Sequence, residues 1–145
     1  MTIDHCGVYA ISSKADAVNA WYAEALKPLG YTLQHSEPGD AGEIVGYGEP
    51  GKGMDFWVIA VAEEPNLKLH IAFTADALAD EYDGGTQDRA VVDKFHAAAV
   101  AAGGKDNGPP GLRKFHPNYY AAFVHDPVGN NIEVVCHKPN KDSAQ

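Results

Sequence analysis

The sequence predicts an α+β fold made of two consecutive modules, each with the order strand, helix, strand, strand, strand. Two observations lead to this prediction: both halves of the chain show this order of apolar segments and turns, and the two halves align with one another. The 145 residues suffice for a single domain made of two packed modules, which we place at residues 3–62 and 67–137.

The first module begins with a strand at residues 3–11. A helix follows, with Ser12 or Ser13 as its expected N-cap, and its apolar residues recur at helical spacing until Pro28 and Gly30 end it. Turns rich in proline and glycine then separate three strand segments, at residues 31–37, 43–48 and 54–61.

The second module repeats this order from a strand at residues 67–74. A polar stretch at residues 76–87 predicts a helical turn and an exposed loop before a second helix at residues 88–102. Residues 105–118 are rich in glycine and proline, so we expect little regular structure there beyond a short strand. The strands at residues 119–126 and 131–137 form a closing hairpin around a Pro-Val-Gly turn.

Glu133 is the residue of this hairpin that most needs an explanation. It lies between Ile132 and Val134, where a carboxylate is costly unless it is paired, neutralised or bound to a metal. Because strand residues alternate between faces, we expect Glu133 to share one face with Val135 and His137.

The two modules each begin with a histidine. Aligning residues 5–10 with 70–75 places His5 and His70 at equivalent positions. A single histidine on such a strand is usually structural. Two at the same place in a repeat, together with a buried glutamate, indicate a divalent metal site for Zn, Fe, Mn, Ni or Co.

In these residues the chain resembles the vicinal oxygen chelate superfamily. That superfamily includes glyoxalases, bleomycin-resistance and fosfomycin-resistance proteins and extradiol dioxygenases. The resemblance covers nearly all of residues 3–137 and rests on His5, His70 and the pattern D-P-x-G-N-x-I-E that ends at Glu133. It implies two βαβββ modules whose mixed sheets curl around a cleft, with His5, His70 and Glu133 at three metal-ligand positions.

The fourth ligand position departs from the glyoxalase pattern. Aligning residues 56–58 with 132–134 puts Trp57 where glyoxalases have a glutamate, which leaves open whether Asp55, two residues away on the same face, supplies a fourth ligand. The remaining ligand set is similar to that of extradiol dioxygenases, but Phe123 stands where those enzymes have a tyrosine.

His116, Tyr119 and Tyr120 precede the closing hairpin and are candidate acid–base groups beside the metal. The strand of Tyr120 pairs with that of Glu133, so we expect this group to lie near the cleft. The alternative interpretation is a turn with aromatic packing.

Composition excludes several partners. A formal net charge of −9 argues against nucleic acid or an anionic membrane as a partner, and no apolar run is long enough for a membrane span.

The first residues lack the pattern of a signal peptide, and the two cysteines form no disulfide framework, so we expect a cytoplasmic protein. The resemblance implies a homodimer, with the site either within one chain or across two.

Two functions are consistent with these observations. The first is a metal-dependent enzyme of the glyoxalase or dioxygenase type, a lyase, isomerase or oxygenase, acting on a small oxygenated molecule that chelates the ion. The second is a metal-free protein that sequesters a ligand, as bleomycin-resistance proteins do. Retention of His5, His70 and Glu133 favours the first.

Overall fold

The structure, a computed structural model, describes residues 3–75 and 86–139. It confirms the α+β class and the two βαβββ modules. The first module consists of β1 (Cys6–Ile11), α1 (Ser12–Ala25), a 3-10 turn (Lys27–Leu29), β2 (Thr32–Gly39), β3 (Gly42–Gly48) and β4 (Phe56–Val61). The second consists of β5 (His70–Thr74), α2 (Thr86–Ala101), β6 (Lys105–Leu112), β7 (Tyr120–His125) and β8 (Asn131–Cys136).

Each module forms one four-stranded mixed sheet, and the two sheets have the same topology. The strand orders are β1-β4-β3-β2 and β5-β8-β7-β6, with the first and last strands of each module parallel and the other pairs antiparallel. Gly7 lies opposite Trp57 in the first sheet and Ala72 opposite Glu133 in the second. This register gives Trp57 and Glu133 equivalent places, as the sequence alignment predicts.

One face of each sheet is buried under its helix, and the other carries the candidate site residues. Along β4 the burial alternates, with Phe56, Val58 and Ala60 inside. In β8, Ile132 and Val134 lie in the same continuous core, on the face opposite Glu133.

The two modules share this core because their helices pack against each other. The Trp21 indole N–H donates to the Ala99 carbonyl at 2.8 Å, and the Tyr22 hydroxyl donates to Asp126 at 2.8 Å. The faces that carry the candidate residues are therefore directed away from the core that the two modules share.

The expected serine N-cap of α1 is wrong. Ile11 occupies the N-cap position, and no side chain caps the helix. The Ser12 hydroxyl instead donates to the carbonyls of Ala41, at 2.6 Å, and Val61, at 2.9 Å. It ties the β2–β3 turn and the end of β4 to the start of the helix, and this tertiary role outweighs local capping.

The second error concerns residues 105–112, which form an eight-residue strand rather than a largely irregular segment. β6 is the edge strand of its sheet, and Pro109 and Pro110 lie in the register shift between Gly108 and Gly111, where neither residue pairs with β7. Two shifts in its register with β7 absorb the glycine- and proline-rich sequence.

Other predicted boundaries shift by a few residues. The helix that we expected from residue 88 begins at Thr86, whereas β1 and β5 begin three residues later than predicted. Residues 76–85 of the expected turn and loop lie outside the described residues. Within residues 3–75 and 86–139, no helix is long and apolar enough to cross a membrane.

Candidate functional site

Glu133 is buried in the middle of β8, with only 2% of its surface exposed, and has two side-chain partners. The Tyr119 hydroxyl donates to Oε1 at 2.7 Å, and His70 Nε2 lies 3.2 Å from Oε2. Phe123 is the cross-strand neighbour of Glu133 on β7. The buried acid predicted from the sequence thus has a distinct partner for each oxygen.

His70 opens β5, and about half of its side chain (52%) is exposed. Its Nδ1 lies 3.0 Å from the Asn131 carbonyl and 3.1 Å from the Asn131 side-chain amide. When Nδ1 carries the proton and donates it to the carbonyl, Nε2 presents an electron pair on the side of Glu133. This second hydrogen bond is the usual way in which a protein fixes the orientation of a metal-binding histidine.

Tyr119 acts on Glu133 as a hydrogen-bond donor. Burial, the hydrogen bond to Glu133 and the negative charge of that residue together raise the pKa of Tyr119 to about 12. The hydroxyl therefore keeps its proton at neutral pH and holds Oε1, which leaves Oε2 beside His70. The sequence predicts Tyr119 as an acid–base group, and in the structure it is a hydrogen-bond donor to the buried acid.

His116 and His137 form a pair at the edge of this face. Both are exposed, and His137 Nδ1 lies 3.1 Å from His116 Nε2. The rings are stacked with centroids 5.0 Å apart, and Tyr119 packs edge-on against both. The sequence predicts His116 as an acid–base group. In the structure its ring contacts Tyr119, and the Tyr119 hydroxyl in turn donates to Glu133.

Tyr120 is separated from this group. Its hydroxyl donates to Asp93 on α2 at 2.7 Å, and the Arg89 guanidinium lies over its ring. Neighbouring residues of a strand have side chains on opposite faces of the sheet. Because the side chain of Tyr119 lies on the face of Glu133, that of Tyr120 lies on the face covered by the helix. Tyr120, which the sequence predicts as an acid–base group, therefore contacts α2 and not Glu133.

His5 precedes β1 and is largely exposed, with Nδ1 2.7 Å from Asp4. It lines, together with His70 and Asp55, a groove of about 510 Å³ between the two modules. Asp55 accepts a hydrogen bond from Tyr31 at 2.8 Å. Among the described residues, no three His, Cys, Asp or Glu side chains converge on a point that could hold a metal ion. A single chain therefore brings together His70 and Glu133 but not His5.

Trp57 gives the first module an apolar face where the second has its carboxylate. A Cβ atom at Gly46 would lie 2.9 Å from the Met54 sulfur and 2.9 Å from the Trp57 ring, so the glycine makes room for the indole. A depression lined by His5, Cys6, Gly7, Tyr9, Trp57 and Ile59 lies beside it.

Sequence reasoning missed Arg113 as a residue of the second module's face. Its backbone N–H donates to the Tyr119 carbonyl at 2.8 Å, which places the two residues opposite each other across neighbouring strands. Its guanidinium lies 5.3 Å from the centroid of the Phe123 ring. The sequence does show a basic residue close to His116 and Tyr119. It does not show on which face Arg113 lies, because that depends on the bulged pairing of β6.

Comparison with solved structures defines the fold. The chain matches a glyoxalase/bleomycin resistance protein from Albidiferax ferrireducens T118 with a TM-score of 0.60 at 22% identity, over 89% of this chain and 94% of that one. It matches a glyoxylase/bleomycin resistance protein/dioxygenase domain from Frankia sp. EAN1pec with a TM-score of 0.64 at 14% identity, over 93% and 90% of the two chains. The chain has the vicinal oxygen chelate fold.

Glyoxalase I from Zea mays, solved as a mutant, shares the vicinal oxygen chelate fold with a TM-score of 0.61 at 21% identity. The match covers 90% of this chain and 45% of that one. No protein-family model matches the sequence, and no curated protein is detectably similar to it. At these identities the likeness defines the fold, and function has to be argued from the site.

Proposed function

We propose that the protein is a metal-dependent enzyme that acts on a small molecule with adjacent oxygen atoms. The observation that carries this proposal is the buried Glu133, whose two oxygens face the Tyr119 hydroxyl and the His70 ring. A buried carboxylate with a half-exposed imidazole beside it is an arrangement suited to holding a cation at the protein surface.

The donor atoms fit a divalent ion. With bonds of about 2.0–2.2 Å to nitrogen and oxygen, two neighbouring ligands of one ion lie about 3 Å apart, and His70 Nε2 and Glu133 Oε2 are separated by 3.2 Å. When bound, such an ion supplies a Lewis acid that polarises substrate oxygens. Imidazole and carboxylate ligands are compatible with Zn, Fe, Mn, Ni or Co.

The other ligand in this proposal, His5, comes from a second copy of the chain. His5 is exposed, and each candidate face points away from the shared core, so one chain alone leaves the site incomplete among the residues that the structure describes. Large apolar side chains are exposed beside these faces, with Ile3 at 85% and Leu67 at 80%. A homodimer that sets the first module of one chain against the second module of its partner covers such residues and completes the ligand set.

The residues of the chain then have separate roles. Tyr119 holds Glu133 through Oε1, and His70 is oriented by Asn131. His116, with His137 at its Nε2, is placed to hold or transfer a proton at the edge of the site. Trp57 offers an apolar surface that keeps water from the opposite side of the cleft.

A metal-free protein that sequesters a ligand is the second candidate. The observation in its favour is Trp57 itself, because an aromatic surface with Tyr9 and Ile59 beside it suits stacking of a flat ligand. In this case Glu133 and Tyr119 are an internal hydrogen-bonded pair that needs no ion.

Titration of the metal-free protein with Zn²⁺ by calorimetry distinguishes the two. The enzyme proposal predicts about one ion per chain, loss of more than about 100-fold in affinity in Glu133→Gln, and an unchanged affinity in the control His96→Gln. His96 is a suitable control because it pairs with Asp106 rather than with the site residues. Equal affinity of Glu133→Gln and the wild type would refute the metal site.

Two further measurements complete the test. Light scattering should give the mass of a dimer at micromolar concentration, and a monomer that binds Zn²⁺ fully would contradict the shared site. Once a substrate is found, His116→Ala should retain the metal and lower turnover by about 10²–10⁴-fold, the usual contribution of a positioned proton-transfer group.

A further inference from the structure

Arg113 is held in a fixed position on the face that carries Glu133. Its backbone pairs with Tyr119, and its Nη2 donates to the carbonyls of Ala121, at 3.1 Å, and Pro109. A guanidinium fixed by two carbonyls loses little conformational freedom on binding a further group.

The ring of Phe123 connects this guanidinium to the candidate metal ligands. Arg113 Cζ is 5.3 Å from the ring centroid, and the His70 ring is stacked 6.4 Å from the same centroid at an interplanar angle of 29°. A Cβ atom at Gly108 would lie 3.0 Å from Phe123 and 3.3 Å from Arg113 Nη2. The glycine therefore leaves the space that this stack occupies.

The charge of Arg113 has no counterion among the described residues. Its Nε is buried without a hydrogen-bond partner, and its two side-chain hydrogen bonds within the described residues both come from Nη2. Arg113 contributes last among the causes that lower the pKa of Asp106, after the hydrogen bonds from His96 and the Gly108 N–H, and it also slightly opposes the rise in the pKa of Tyr120. Asp106 pairs with Val124, on the helix side of the sheet.

The face is locally basic although the whole chain carries a net charge of −9. In the described strands β5 to β8, Glu133 is the one carboxylate on this side, whereas Arg113 is joined by Lys105, which pairs with His125. Arg113 Nη1 donates to no group among the described residues, so a guanidinium without a counterion on a face of this polarity favours an anionic ligand.

We propose that Arg113 binds the carboxylate of the substrate, which is a small organic acid that also carries two adjacent oxygen atoms. This inference rests on the proposed function, because the adjacent oxygens are assigned to the ion at His70 and Glu133. A single guanidinium matches the one negative charge of a carboxylate, and its Nη1 is the nitrogen left to donate to the carboxylate oxygens because Nη2 is used on two carbonyls.

A matched pair of probes tests the inference on the zinc-loaded protein. Catechol and 3,4-dihydroxybenzoate present the same adjacent oxygens and differ by one carboxylate. The wild type should bind 3,4-dihydroxybenzoate at least about 10-fold more tightly, and Arg113→Gln should reduce that ratio to about one while keeping the affinities for catechol and Zn²⁺. Lys27→Gln, which removes an exposed charge on the 3-10 turn, should behave as the wild type. If Arg113→Gln keeps the wild-type ratio of the two affinities, the proposal is overturned.

A second measurement separates this inference from the metal site and from folding defects. On the unaltered, metal-free protein, benzoate should shift the NMR signals of Arg113 and Phe123, whereas the uncharged benzamide should not. If benzoate binds but calorimetry detects no zinc site, the proposed function is refuted and the anion site is retained. Equal responses to benzoate and benzamide would overturn the anion site whatever the metal does, and would mean that Arg113 only clamps β6.

Discussion

Replacement of Asp126 by alanine should destabilise the protein strongly, because this one carboxylate organises the turn before β8 and joins the two modules. Asp126 is buried, at 4% exposure. It accepts hydrogen bonds from the Tyr22 hydroxyl at 2.8 Å, the Val128 N–H at 3.0 Å, the Asn130 N–H at 2.8 Å and the Asn130 side-chain amide at 2.7 Å.

The magnitude follows from the donors that the substitution leaves behind. Hydrogen bonds to a charged group contribute about 1.5–3 kcal/mol each, and an orphaned buried donor costs about 1–3 kcal/mol. Tyr22 is fully buried, and Val128 and Asn130, which supply the other donors, are only 5% and 3% exposed, so the substitution leaves every one of these donors buried. Since such effects are less than additive, we expect Asp126→Ala to lower the free energy of unfolding by about 3–5 kcal/mol.

Urea unfolding followed by circular dichroism measures this change. Tyr22→Phe is the matched control, because it removes one donor and keeps the carboxylate with its other three hydrogen bonds, so a loss of about 1 kcal/mol is expected. A loss below about 1 kcal/mol in Asp126→Ala, or one no larger than in the control, would refute the reasoning that this carboxylate is a central contact of the fold.

Three further predictions concern the candidate site. Tyr119→Phe should weaken Zn²⁺ binding by about 10–100-fold in calorimetry, since it frees Glu133 Oε1 from its orienting partner; unchanged affinity would exclude the positioning role. Because the pKa of Tyr119 is raised to about 12, its contribution to stability is fully present below about pH 10 and lost between about pH 10 and 12. The difference between the ultraviolet titrations of the wild type and Tyr119→Phe should therefore show one tyrosine ionising near pH 12, and a midpoint near 10 would contradict the burial and the hydrogen bond. Gly46→Ala should displace the Trp57 ring, seen as a shift of its indole N–H resonance, and cost about 1–3 kcal/mol from overpacking. Gly111→Ala, whose added Cβ meets nothing closer than 3.6 Å, should show neither effect.

The architecture could be predicted from the sequence because it depends on local patterns that occur twice. Helical spacing, strand alternation and turn residues indicated the element order, and the same register of Gly7 with Trp57 and of Ala72 with Glu133 is found in the structure. The burial of Glu133 could also be predicted, since β8 is apolar on both of its faces around this residue.

What could not be predicted depends on contacts between distant segments. The Ser12 hydroxyl prefers carbonyls 29 and 49 residues away over a local cap. The position of Arg113 requires the bulges of β6, which no periodic pattern encodes. The faces of Tyr119 and Tyr120, however, could have been predicted. A hairpin centred on Val128 pairs Phe123 with Glu133. Alternation from Phe123 then places Tyr119 on the face of Glu133 and Tyr120 on the other.

The alternation of burial along β4 has an evolutionary consequence. Phe56, Val58 and Ala60 belong to the core, whereas Trp57 and Ile59 between them do not. A substitution at an outward position of β4 should therefore change the surface of the cleft at less cost to the free energy of unfolding than one at an inward position. Trp57 and Glu133, which occupy equivalent places in the two sheets, differ in size and charge although the two sheets have the same strand order. Mutational tolerance along β4 should accordingly rise and fall with a period of two residues, whereas β8, buried on both faces from Ile132 to Cys136, should tolerate few changes at any position.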